Sequence, residues 1–248
     1  MYTYIYDAAL TDKKYSNALN KIEGKLTDLG LSGRICRLSP LRNLRDVVSD
    51  ELRRLPETIV VVGGDSLLIQ VIALLKGSPI PLAIIPLGES IKLANSFGIT
   101  EDTAAQVLSA RRIIAIDGGS ADGRFFLKKA LVIGDDLRII VDDNYSVRPN
   151  KQDSVEVFNF LNDDEDCCLP DRPHPQSGKL CLVISRRDNS FLGKSRLVDQ
   201  TMISCKHLEV IGEAVSGILD DSLELRQLNL FDCVPSAFNL IVGKQRNF

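Results

Sequence analysis

The chain lacks tryptophan altogether and has only two histidines and two methionines in 248 residues. Its six cysteines (Cys36, Cys167, Cys168, Cys181, Cys205 and Cys233) contain no Cys-x-x-Cys pair and no zinc spacing with His174 or His207. That excludes the common zinc and dithiol motifs and leaves reduced, structural thiols as the expectation. No apolar run approaches the roughly 20 residues that span a bilayer. Met1–Asp7 has neither the basic flank nor the apolar stretch of a secretion signal, and the expected location is cytoplasmic. Neither sign of charge dominates: 30 Lys and Arg face 33 Asp and Glu, a net charge of −3. Nothing therefore invites nucleic acid. Hydrophobic content is 44%, enough for a globular core in one large or two modest domains.

The most informative stretch is Ile59-Val60-Val61-Val62-Gly63-Gly64-Asp65-Ser66. Four apolar residues run into two glycines, and Leu67, Leu68, Val71, Ile72, Leu74 and Leu75 follow at helical spacing. This reads as a buried strand, a tight turn and an amphipathic helix. The turn lies at a helix N-terminus, where free amides and the helix dipole favour an anion such as a nucleotide phosphate. Pro81–Glu89 repeats the theme: an apolar strand, a Pro/Gly loop, then Ile91, Leu93, Ala94 and Phe97 at helical spacing. In one parallel sheet both loops would emerge at the carboxyl edge, where open α/β sheets place ligands. Asp65 reads either as an N-cap for a helix beginning at Leu67 or as a residue orienting the phosphate loop.

Residues 1–118 alternate strand and helix, with strands at Tyr2–Tyr6, Arg34–Leu38, Ile59–Val62, Pro81–Ile85 and Ile113–Ile116. Repeated β–α units imply a Rossmann-like parallel sheet. In residues 119–248 the period changes, and short strand-like runs at 124–133, 137–141, 155–160, 179–185, 207–211, 223–230 and 238–242 point to an antiparallel β-sandwich. The expected organisation is an α/β domain over 1–118 and a β-sandwich domain over 119–248, with 238–248 packing back towards the first. Asn162–Gly178, which contains His174, reads as a long polar loop. Asp142-Asp143-Asn144 and Asp220-Asp221-Ser222 read as turns.

This pattern resembles the diacylglycerol kinase catalytic-domain family, which includes bacterial lipid kinases and is distantly related to NAD kinases. Gly63-Gly64-Asp65-Ser66-Leu67 stands against that family's Gly-Gly-Asp-Gly-Thr, and Ile85–Ala94 against Ile-Pro-x-Gly-Thr-Gly-Asn-Asp-x-Ala. Ser96–Ile99, Ile116-Asp117, Leu197–Gln200 and Leu240–Lys244 resemble further positions. The resemblance implies an ATP- and Mg²⁺-dependent kinase for a lipid or other small-molecule alcohol. Gly63, Gly64, Asp65, Ser66, Gly88, Glu89 and Ser90 would cradle the nucleotide, and Asp220 or Asp221 would take the hydroxyl proton across an interdomain cleft. The motifs also depart from the family. Leu67 cannot offer the hydroxyl of threonine, and the Asn-Asp pair is missing. Glu89 places a carboxylate near a triphosphate, a repulsion of roughly 1 to 4 kcal/mol at about 4 Å unless a metal intervenes. Asp7-Ala8-Ala9 replaces Asn-Pro and a glycine.

Three functions compete. The first is a lipid kinase. The second is a non-catalytic relative that has lost ATP and binds another ligand or a protein, and the third, ranked last, is an NAD-kinase-like enzyme. Arg186-Arg187 with Lys194 and Arg196, around Phe191-Leu192-Gly193, suggests either transient membrane-surface contact or a charged strand edge. A homodimer is compatible with the sequence, and no residue set is assigned to a metal.

Overall fold

The structure, a computed structural model, describes residues 1–161, 173–189 and 195–246. Its contacts divide the chain into two units. One comprises Met1–Ile116 with the segment from Ala237 onward, and the other the described residues between Asp117 and Ser236. The fold is an α/β unit with a parallel sheet and a second unit built from antiparallel strands.

In the first unit, β1 (Tyr2–Tyr6), β2 (Gly33–Arg37), β3 (Thr58–Gly63) and β4 (Leu82–Pro86) form a parallel sheet in the order β2-β1-β3-β4. Every residue of β3 and β4 is buried, as continuous apolar strands covered on both faces require. Between the strands run α1 (Ser16–Asp28), α2 (Leu44–Arg53) and α3 (Asp65–Leu75), followed by the short α4 (Lys92–Ser96) and α5 (Ala104–Ala110). Leu19, Ile22 and Leu26 bury the inner face of α1; Gly30, at φ +67°, closes it in the left-handed conformation. Asn43 caps α2 by accepting from Asp46 N at 2.9 Å. The strand order reverses direction between β1 and β3, which sets a crevice at their carboxyl ends.

The second unit contains β5 (Ile113–Ala121, entering from the first), β6 (Arg124–Phe126), β7 (Lys129–Val141), β8 (Tyr145–Val147) and β9 (Asp153–Phe158). It continues with β10 (Leu180–Asn189), β11 (Ser195–Cys205), β12 (His207–Leu219), β13 (Leu223–Leu225) and β14 (Leu230–Ile241), which runs back into the first. The path β11-β10-β9-β7-β12-β14 is antiparallel throughout. Leu180, Leu182 and Ile184 of β10 enter a core with Phe126 and Phe231, whose rings meet edge to face at 6.1 Å. Cys181 and Val183, on the opposite face, pack with Phe158 and Leu161.

Several strands run longer than their sequence suggests. Residues 124–133 and 137–141 form β6 and one continuous β7, and 207–211 is only the start of β12. The interruptions at 134–136 and 212–215 are paired β-bulges, with register shifts on both sides of Glu213. β11 has no counterpart among the expected strands. Of the loop expected over 162–178, residues 162–172 lie outside the described residues, as do Phe191–Lys194 of the basic cluster.

Candidate functional site

The carboxyl ends of β1, β3 and β4 enclose a cavity of about 500 Å³ within the first unit. That volume falls in the range of small-molecule sites. It is lined by Gly64, Asp65 and Ser66 after β3, by Leu87, Gly88, Glu89 and Ser90 after β4, and by Asp7–Tyr15 residues after β1. The crevice at the strand-order reversal is thus the place where the two glycine loops meet.

The loops interlock through backbone. Asp65 N donates to Ser90 O at 2.8 Å and Leu87 N to Gly63 O at 3.0 Å. Gly64 has no room for a side chain, because a Cβ there would lie 2.9 Å from Ser90 O. Gly88 adopts φ +147°, and a Cβ on it would meet Gly64 N at 3.2 Å. These glycines serve loop-to-loop contact at least as much as ligand approach.

Asp65 corrects one expectation. Helix α3 begins at Asp65, with Gly64 as its N-cap, and the aspartate does not cap its own helix. Its carboxylate instead reaches the other loop, accepting from Ser90 Oγ at 2.7 Å and from Leu93 N at 3.2 Å. It therefore caps α4, whose own N-cap residue, Ile91, supplies no side-chain acceptor. Ser66 is exposed, and its hydroxyl accepts from Gln70 Nε2 at 3.2 Å. Among the described residues, no acceptor meets the amides of Gly64, Ser66 or Leu67, which leaves donors at the cavity wall. The side chain of Leu67 turns into the core, 5% exposed.

The lining is acidic. Asp7, Asp12, Asp65 and Glu89 contribute carboxylates, and Lys14 is the cation among the lining residues. Asp7 and Asp12 each hold a short turn, accepting from Ala9 N and Lys14 N. Lys14 lies 4.9 Å from the Tyr15 ring centroid. Its contact with Tyr15, then the charges of Asp12 and Glu89, raise its pKa above the usual lysine value. Asp7-Ala8-Ala9 was among the expected nucleotide-facing loops, whereas residues 10–15 were not, although β1 ends at the same edge as β3. The parallel pairing of Tyr6 with Val62 is the signal that locates them.

The turn Asp220-Asp221-Ser222 joins β12 to β13 in the second unit, with both aspartates at positive φ. The Asp220 carboxylate accepts from the amides of Leu127 at 2.7 Å, Lys128 at 2.7 Å and Lys129 at 3.2 Å. Burial pushes its pKa up against the pull of these amides. Asp221 stays exposed, 3.5 Å from Lys129 Nζ. Other aspartates clamp chain ends in the same way. Asp117 accepts from Gly178 N and Ser236 N, Asp122 from Asn229 N and Leu230 N, and Asp142 from Lys206 N and His207 N. Burial raises the Cys205 thiol to about 12 and Cys233 to about 11, so neither is a thiolate at neutral pH. Among the described residues, no three His, Cys, Asp or Glu side chains are placed to hold a metal. No helix among them is long and apolar enough to cross a membrane.

Residues 2–121 match the family model of the diacylglycerol kinase catalytic domain. No curated protein matches the chain. Its structure is similar to that of a diacylglycerol kinase from Bacillus anthracis str. Sterne, with a TM-score of 0.77 and 17% identity over 98% of this chain and 97% of that one. It is also similar to an NAD kinase from Archaeoglobus fulgidus determined in complex with ATP. That TM-score is 0.60, with 14% identity over 98% of this chain and 94% of that one.

Proposed function

From the match of residues 2–121 to the diacylglycerol kinase catalytic-domain model, we propose that this lipid kinase-like protein transfers the terminal phosphoryl group of ATP to a lipid hydroxyl. The observation that carries the reading is the cavity of about 500 Å³ at the ends of β1, β3 and β4. The amides of Ser66 and Leu67 would donate to the nucleotide phosphates at the dipole end of α3. Gly64 and Gly88 would keep the wall free of side chains, and Asp65 would hold the second loop against the first. Lys14 would draw the phosphates towards the β1 loop.

The acidic wall sets a condition on this binding. Four carboxylates against one ammonium repel a free triphosphate, so a divalent cation would enter with the nucleotide instead of waiting on the protein. Asp12 and Glu89 are the carboxylates suited to face it, and its chemistry would be neutralisation of phosphate charge. For the acceptor proton, Asp221 is the candidate with an exposed carboxylate, 3.5 Å from Lys129 Nζ, since both oxygens of Asp220 are taken by amides.

The test is a thermal-shift titration. Mg·ATP should raise the melting temperature, equivalent to about 2.7 kcal/mol at one hundred times Kd, whereas ATP with EDTA should raise it far less. Absence of any shift at saturating Mg·ATP would overturn the nucleotide assignment. Phosphoryl transfer from radiolabelled ATP to diacylglycerol vesicles then tests the reaction, and Asp221→Asn tests the proton acceptor.

A further inference from the structure

One side chain is fully outside the protein: Leu41, at 100% exposure. It occupies the tip of the Ser39–Asn43 turn between β2 and α2. Ser39 and Arg42 exchange both backbone hydrogen bonds, at 2.9 and 3.4 Å, and Pro40 fixes the first corner. The turn thus presents the leucine on a closed, ordered tip and not on a loose end.

Its surroundings are cationic. Residues 33–45 carry Arg34, Arg37, Arg42 and Arg45 and no acid, in a chain whose net charge is −3. Arg37, Arg42 and Arg45 are exposed. Arg45 meets no carboxylate among the described residues, and Arg42 contacts the Cys36 sulfur at 3.8 Å. Arg37 lies 4.9 Å from the centre of the Tyr6 ring and 3.7 Å from Glu23. The nearest acid in sequence, Asp46, is held by Asn43 at 2.6 Å.

The position is as informative as the composition. β2 runs parallel to β1 with Arg37 opposite Tyr6, so this turn leaves the same carboxyl edge of the sheet as the loops that line the cavity. A protein-binding surface would need a contiguous apolar patch, whereas Leu41 stands alone among Ser39, Arg42 and Asn43. An isolated apolar tip flanked along the chain by exposed arginines suits a lipid surface. There the leucine enters the acyl boundary and the arginines meet phosphates. We propose that the β2–α2 turn is a docking tip that seats the first unit on an anionic membrane surface.

Sedimentation with vesicles, without nucleotide, tests this independently of the nucleotide assignment. The full chain should sediment at low salt with phosphatidylserine-containing vesicles, remain free with phosphatidylcholine alone, and be released by salt. Leu41→Asp should weaken binding about tenfold. Arg42→Gln with Arg45→Gln should cost about fivefold each. Arg53→Gln with Arg54→Gln removes the same charge at the other end of α2 and should leave binding near that of the unaltered protein. Arg54 pairs at 3.6 Å with the buried Glu51, so melting temperatures measured across the set will separate lost folding from lost binding. The proposal is overturned if the unaltered protein ignores phosphatidylserine. It is equally overturned if the tip variants bind normally, or if the α2-end control weakens binding as much as they do.

Discussion

Asp65 shows how much one carboxylate can organise. It ties two loops separated by 25 residues in sequence, through Ser90 Oγ and the Leu93 amide. Asp65→Asn should lower stability in urea unfolding by about 1–3 kcal/mol and loosen the second loop, because a charge-assisted acceptor becomes a poorer neutral one. Neighbouring Leu67 behaves differently. A threonine there, as in the Gly-Gly-Asp-Gly-Thr motif, places a hydroxyl among buried apolar groups, and Leu67→Thr should destabilise by about 2 kcal/mol or more. Glu89→Thr, on an exposed loop position, should leave stability unchanged and tighten ATP in the thermal-shift titration. The sequence made these residues conspicuous but not their partners. The Gly63-Gly64-Asp65 turn is legible because an apolar strand and an amphipathic helix bracket it. The capping of α4 by Asp65 is not, since it depends on a contact closed only by the parallel pairing of β3 with β4.

At the scale of elements, the glycine loops form one interlocked pair. Gly64→Ala would drive a methyl group into Ser90 O and should cost about 1–3 kcal/mol while abolishing the Mg·ATP shift. The antiparallel strands were harder to read than the parallel ones for a specific reason. Gly134-Asp135-Asp136 and Gly212-Glu213-Ala214 have turn-like composition, and Asp136 and Ala214 do take positive φ. Yet the two segments face each other as bulges inside β7 and β12, and pairing continues on either side. Where β12 meets β14, His207 Nδ1 lies 2.7 Å from Asp232 Oδ1. The Asp232 hydrogen bond raises the His207 pKa above the usual imidazole value. The sign follows: the charged pair supports the folded state below about pH 6.5, and this support fades as pH rises through the raised value. The site is half exposed, so the effect should stay below about 1 kcal/mol. An NMR titration of His207 should give a midpoint that falls in Asp232→Asn.

For the whole molecule, a near-balanced charge conceals local asymmetry. The cavity wall collects acids while the turn after β2 collects arginines, both at one edge of one sheet. Summed composition cannot show this, because strand order decides which loops become neighbours. The α/β half was readable from periodicity, since buried parallel strands and their helices carry the strongest local signals. Residues 7–15 became part of the cavity only because β1 sits between β2 and β3.

The α/β unit is written in two pieces, Met1–Ile116 and the segment from Ala237 onward, with the second unit between them. Leu240, Ile241 and Val242 are buried, and Leu240 pairs with Leu82 on β4. A ribosome therefore makes the intervening unit between the two pieces of this one. Until the segment from Ala237 onward emerges, the outer flank of β4 waits without its closing strand, while the intervening unit already has all of its own sequence. Nascent chains halted before Ala237 should thus expose that flank to proteases and chaperones, and release of the last strand should be the step that protects it.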